Sequence, residues 1–201
     1  LSNEFLLNRI LAKRPSDPSI IDGTYPVTSF GNPNGSLVAT IGINPSVDEF
    51  KSRSRPRRYL SSETKRLVDS ESLGKTHSEE PLSRNEALAV LKGNHEYFQK
   101  NPYMSWFSYM ENWALRPIGV SYFDGTAVHL DLVQWATDPV WSKLNQQSSR
   151  DELIKEDIEF LRTFLRLGQF KLIILNGKTV FSAFKKYEIG DFTSEEQRAF
   201  D

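Results

Sequence analysis

Three short apolar runs, rich in β-branched residues, punctuate an otherwise polar chain at 37–43, 126–133 and 170–175. Continuous runs of this length, each bounded by turn residues, predict strands buried on both faces. Between them the apolar spacing switches to a helical period. Phe5, Leu6, Ile10 and Leu11 predict a helix over 3–13, stopped by Pro15. Ser83 and Glu86 have capping-box spacing ahead of Ala87, Leu88, Val90 and Leu91, and Ser149 and Glu152 repeat it ahead of Ile154, Ile158, Leu161 and Leu165, with Gly168 as the stop. A short strand is expected at 27–30, joined to the first long run through the turn-rich 31–35. The aromatic segment 101–113 places Tyr103, Trp106, Phe107, Met110 and Trp113 on one helix face, which predicts a core stripe because aromatics bury so much area. Strand, turn and helix repeated in this order predict an α/β protein, three-layer α/β/α with a mostly parallel central sheet. No internal repeat or linker divides the chain, so 1–201 reads as one domain.

The strand ends carry the polar chemistry. The first run stops at Asn44-Pro45-Ser46, because Pro45 fixes its own φ, donates no N–H to a ladder and constrains the residue before it. Asn44 thus stands at the carboxyl end of a central strand, where open α/β sheets bind ligands, although an Asn-Pro pair also serves simply to open a turn. Asp131 lies inside the second run, and a buried carboxylate needs a partner or a task. The third run ends in Asn176-Gly177-Lys178. After the first strand, 51–66 holds seven basic residues (Lys51, Arg53, Arg55, Arg57, Arg58, Lys65 and Arg66) against the single acid Glu63. Such a run is either a solvated loop and polar helix face or, placed beside a strand end, a phosphate-contacting patch.

Composition narrows the classes. With a net charge of −1 over 201 residues, any nucleic-acid contact must be a local basic patch. The absence of cysteine excludes disulfides, thiolate metal sites and a cysteine nucleophile, and three histidines (77, 95 and 129) argue against a histidine-rich metal site. Asp48, Glu49 and Asp131 match no metal-nuclease spacing. No run approaches a membrane span and no signal-peptide pattern opens the chain, so a cytoplasmic location is expected, nucleoid-associated in a bacterium. The first residue is Leu rather than Met, which suits a piece of a longer chain.

Gly42-Ile-Asn-Pro-Ser46 resembles the first motif of the uracil-DNA glycosylase superfamily, especially the mismatch-specific uracil/thymine branch with Gly-Ile-Asn-Pro-Gly. Leu130-Asp-Leu-Val133 with Ala136-Thr137 is similar to that branch's base-reading strand, and 172–181, containing Asn-Gly-Lys, looks like its strand-to-helix segment. The matches fall in the family's order over about half the chain. The resemblance implies a uracil-DNA glycosylase-like fold and a protein that flips a damaged or modified DNA base and hydrolyses its N-glycosidic bond, with no cofactor and no metal. It implies that Gly42, Ile43, Pro45 and Ser46 line a base pocket, that the Asn44 amide positions the attacking water, that Phe50 stacks on the base and that Asp131 reads its edge. DNA contacts would fall to Arg53, Arg55, Arg57, Arg58, Asn176, Gly177 and Lys178. Ser46 stands where the motif has glycine, Asp131 where it often has Asn, and the later His-Pro-Ser motif is missing. An ionised Asp131 only accepts hydrogen bonds, which suits an amino-bearing base better than uracil. The missing motif leaves two readings: a chain that stops short at its C-terminus, or a non-catalytic nucleic-acid or nucleotide-binding protein of the same fold. In a third, the basic run binds protein and the pocket is vestigial.

Overall fold

The computed structural model describes residues 1–54, 56–76, 81–144 and 147–190. Its centre is a three-stranded, all-parallel sheet in the order β2-β1-β3, formed by β1 (Val38–Gly42), β2 (Ala127–Asp131) and β3 (Leu172–Leu175). Val38 pairs with Ala127 on one side and Leu172 on the other, and the register continues to Gly42 opposite Asp131. All residues of β1 and β2 are buried, as the continuous apolar runs predict. β3 departs from that expectation, with Leu172 43% and Ile173 39% exposed. It pairs with β1 alone, so its outer side meets no strand among the described residues. The strand expected at 27–30 is also absent. Phe30 makes one antiparallel bridge to His129, and Gly31 turns the chain away at φ 93°.

The two faces of the sheet differ in chemistry. Ala39, Ile41, Val128 and Leu130 face an aliphatic core shared with α1 (Asn3–Ile10), α2 (Arg84–His95), α4 (Gln147–Leu167) and α5 (Lys178–Lys186). The capping box at Ser83 and Glu86 forms as its spacing predicts, satisfying two orphan N–H groups at the start of α2. α4 begins two residues before Ser149, which therefore lies inside the helix instead of capping it. Gly168 follows the last residue of α4, and only glycine fits there, because a Cβ would overlap the ring of Phe170.

Thr40, Gly42, His129 and Asp131 point to the opposite face, where Phe30, Phe50, Tyr97, Phe98 and Tyr122 cover them. α3 (Met104–Met110), which continues as a π-helical turn over Glu111–Leu115, reaches this layer mainly through Phe107. The expected core stripe is therefore corrected. Trp106, Tyr109 and Trp113 are 48%, 51% and 64% exposed, since the space over the sheet is already filled by the other rings.

A polar clamp ties the helices to the segment leaving β2. The buried Asp157 of α4 pairs with Arg9 of α1 and accepts the Gln134 N–H at 2.6 Å, while Arg9 Nε donates to Gln134 Oε1 at 3.1 Å. Gln134 Nε2 donates back to the Asp131 carbonyl at 3.0 Å. Burial pushes the Asp157 carboxyl up to about 6 against the pull of Arg9, so it is ionised at neutral pH. Asp157→Ala leaves both Arg9 and the Gln134 N–H without their acceptor. It is expected to cost about 3–5 kcal/mol in chemical denaturation, far above an exposed carboxylate such as Glu159→Ala.

Candidate functional site

At the carboxyl end of β1 the chain turns at Asn44-Pro45. The Asn44 Nδ2 donates to the Trp135 carbonyl at 3.2 Å and to Thr137 Oγ1 at 3.1 Å. A carbonyl only accepts, so this contact fixes the nitrogen inward and leaves Asn44 Oδ1 with no partner among the described residues. Ser46 caps the 3₁₀ turn Val47–Glu49, its Oγ accepting the Asp48 N–H at 3.2 Å. Ile43 is half-buried against the aliphatic core, and Pro45 is buried. Gly42 lies under the Asp131 carboxyl and the His129 ring, and any side chain there would overlap both.

Beneath these residues a buried polar chain crosses the sheet. Thr40 Oγ1 is 2.6 Å from the Tyr122 hydroxyl and 2.7 Å from His129 Nδ1, and His129 Nε2 is 3.4 Å from Asp131 Oδ1. One arrangement satisfies every member: Tyr122 donates to Thr40, Thr40 donates to Nδ1, and the imidazole carries its proton on Nε2 toward Asp131. Glu49 joins the same region, accepting from the Tyr97 hydroxyl at 2.7 Å. Burial, opposed by that hydrogen bond and by Arg66 and reinforced by Asp131 and Asp48, pushes its carboxyl up to about 8. Glu49 is therefore a neutral acid at pH 7. Desolvation also raises the phenols of Tyr97 and Tyr122, which stay protonated.

Much of the basic run is internally paired. Arg53 and Arg57 both hold the Asp48 carboxylate, to which the Tyr103 hydroxyl donates at 2.9 Å. Lys51 pairs with Asp138 and Lys65 with Asp69 and Glu71. Arg66 donates to the carbonyls of Asp48 at 3.2 Å and Asn101 at 3.1 Å and has no carboxylate partner among the described residues. Two guanidiniums thus hold the Asp48 carboxylate, and a third sits on the Asp48 backbone carbonyl. The Arg58 side chain is exposed, and Arg55 lies outside the described residues. At the third strand end Asn176 donates its N–H to the Ile41 carbonyl, and Gly177 at φ 97° turns the chain into α5 with Lys178 exposed at its start.

The structure therefore gathers Gly42, Asn44, Ser46 and Asp131 at one end of the sheet. No hydrogen bond joins Asn44 to Asp131, because Asn44 is held by 135–137 while Asp131 faces His129. Phe50, expected to stack on a base, is buried within the aromatic layer. Thr40, Tyr97 and Tyr122 were not singled out by the sequence pattern, and Glu49 and His129 were weighed only as metal ligands, not as members of a buried polar chain. The signal for two of them was spacing: Thr40 and Gly42 alternate on one strand opposite His129 and Asp131 on the next. Among the described residues no group of three or more histidines and carboxylates is placed to hold a metal ion, and no helix is long and apolar enough to cross a membrane. No family model matches the chain, and no curated protein sequence matches it significantly.

The Glu49 carboxyl gives a pH signature with a fixed sign. In the unfolded chain it titrates near 4.5, in the folded chain near 8, so between these values unfolding releases a proton and stability falls as pH rises. The slope from this group is about 1 kcal/mol per pH unit. Unfolding free energies measured across pH 5–8 should fall less steeply for Glu49→Gln than for the parent; parallel curves would show that Glu49 is ionised in the fold.

Proposed function

We propose that the chain is a DNA glycosylase-like protein that takes a damaged or modified base out of the helix and hydrolyses its N-glycosidic bond. The observation that carries this reading is the orientation of Asn44. Its amide nitrogen is anchored to Trp135 and Thr137, and its unpaired oxygen remains to accept a hydrogen bond from water at the carboxyl end of the central strand. The resemblance of 42–46, 130–137 and 172–181 to the uracil-DNA glycosylase superfamily supports it.

In the reaction the held water forms a bond to the sugar C1′ while the C1′–N bond breaks, and the bonding pair leaves with the base. The departing base takes up a proton equivalent to the one the water gives up. Turning the base out costs a few kcal/mol. Phe50 and Asp131 are buried, so base insertion needs the segment after Ser46 to move and open the aromatic layer. The Asp131 carboxyl oxygens and the protonated Glu49 carboxyl offer an acceptor and a donor, a pair suited to a base that carries an amino group next to a ring acceptor. Three guanidiniums around Asp48 supply phosphate contact close to the strand end.

A second reading, a non-catalytic nucleic-acid reader, is favoured by the burial of Phe50 and Asp131. Excision assays separate the two. Oligonucleotides carrying uracil, a thymine mismatch, hypoxanthine or modified cytosine should yield an abasic product from at least one, and Asn44→Ala should slow that release by about a hundredfold or more. Binding to these oligonucleotides without any abasic product selects the reader, and neither binding nor product defeats both.

A further inference from the structure

The side of α3 turned away from the sheet carries a feature that glycosidic hydrolysis does not use. Trp106 and Tyr109 of α3 and Trp113 of the π-helical turn that continues it follow one another at intervals of roughly 4–6 Å along the axis, all turned to solvent. All three are largely exposed, whereas most soluble surfaces scatter their large apolar residues singly. The one carboxylate of this stretch, Glu111, is buried and spent on Arg116, Ser121 and the Tyr122 N–H, so no acidic side chain of this stretch stands out beside the rings.

The amino end of the same helix opens onto a groove of about 380 Å³, lined by Lys51, Arg53, Arg66, Tyr103 and Met104 among others. There the Tyr103 ring lies under two guanidiniums, Arg53 at 5.1 Å and Arg66 at 5.4 Å. Arg53 and Arg57 share the one Asp48 carboxylate and Arg66 donates to backbone carbonyls, which leaves these groups two charges positive in a chain whose net charge is −1. Aromatic rings in a row, free of acids and leading into a cationic groove, match a flexible polyanion with flat faces. A second copy of the chain fits worse, since a two-fold contact would set two cationic grooves side by side. A helical duplex offers no free base faces to the rings.

We infer that the α3 face and the groove form a binding track for single-stranded DNA, with Trp106, Tyr109 and Trp113 stacking on bases and Arg53 and Arg66 meeting phosphates. The track runs from α3 to Asp48, just past Asn44 in the chain, and so delivers a strand to the proposed site. It rests on the proposed function only for the nature of the polymer.

The test uses the full chain and undamaged oligo(dT), read by quenching of tryptophan fluorescence and by anisotropy of a labelled strand. Trp113→Ala and Tyr109→Ala are each expected to weaken binding roughly 5- to 100-fold, Trp113→Phe to recover most of it, and Arg53→Gln to reduce the dependence of affinity on salt by about one phosphate contact. These side chains are exposed, so the variants should unfold at the parent temperature. Unchanged oligo(dT) affinity in the Trp106→Ala/Trp113→Ala double variant would overturn the inference. So would tighter binding to duplex or to oligo(U) than to oligo(dT), or binding to phosphatidylserine vesicles with none to oligo(dT). Base excision by a protein whose strand binding ignores the stripe would sink this inference alone and leave the proposed function standing.

Discussion

The buried contact between Asp157 and the start of the segment after β2 is the constraint on which the site depends. Through it α4 grips the Gln134 N–H, and through Arg9 it draws in α1 as well, so two helices distant in sequence fix one short stretch of loop. That stretch supplies the Trp135 carbonyl and the Thr137 hydroxyl, the partners of the Asn44 amide among the described residues. An ion pair taken out of water is costly to form and adds little net stability over a well-packed apolar substitute. Its use here is geometric, since an apolar pair would fill the same space without holding a backbone N–H in place.

The sheet converts a pattern in the sequence into a division of labour. On one face, small and aliphatic side chains meet four helices. On the other, a threonine, a histidine and two carboxylic acids are sealed beneath aromatic rings. Sealing them shapes their chemistry: Glu49 is kept neutral by burial, and the hydroxyl of Thr40 links Tyr122 to His129 in one continuous chain. Gly42 is what allows the Asp131 carboxyl to lie so close to the central strand.

Much of this fold is legible without coordinates. The continuous apolar runs and the turn signals after them identify the three strands, and the Ser83 capping box places α2 to the residue. The spacing of Ile154, Ile158 and Leu161 gives the buried face of α4, though not its start, which lies two residues before the cap expected at Ser149. Burial was harder to read than type. An apolar strand at the edge of a sheet and one at its centre have the same sequence signature, and only pairing tells β3 from β1. Aromatic spacing on 101–113 put Trp106, Phe107 and Trp113 on one buried face, whereas Phe107 alone of the three turns to the core and Tyr109, left out of that face, joins Trp106 and Trp113 at the surface. Asn44 and Asp131 were visible as polar residues in apolar surroundings. The partners of Asn44 were not, because they come from a loop whose position is set by α1 and α4.

Hydrogen exchange at the Asn44 side-chain amide, followed by nuclear magnetic resonance, reports whether Asp157 holds that amide in place through the loop. Both Nδ2 protons are expected to exchange slowly and to show cross-relaxation to Thr137, and both signatures should be lost in Asp157→Ala. Exchange at the rate of a free amide in the parent protein, or protection that persists unchanged in the variant, would contradict this arrangement.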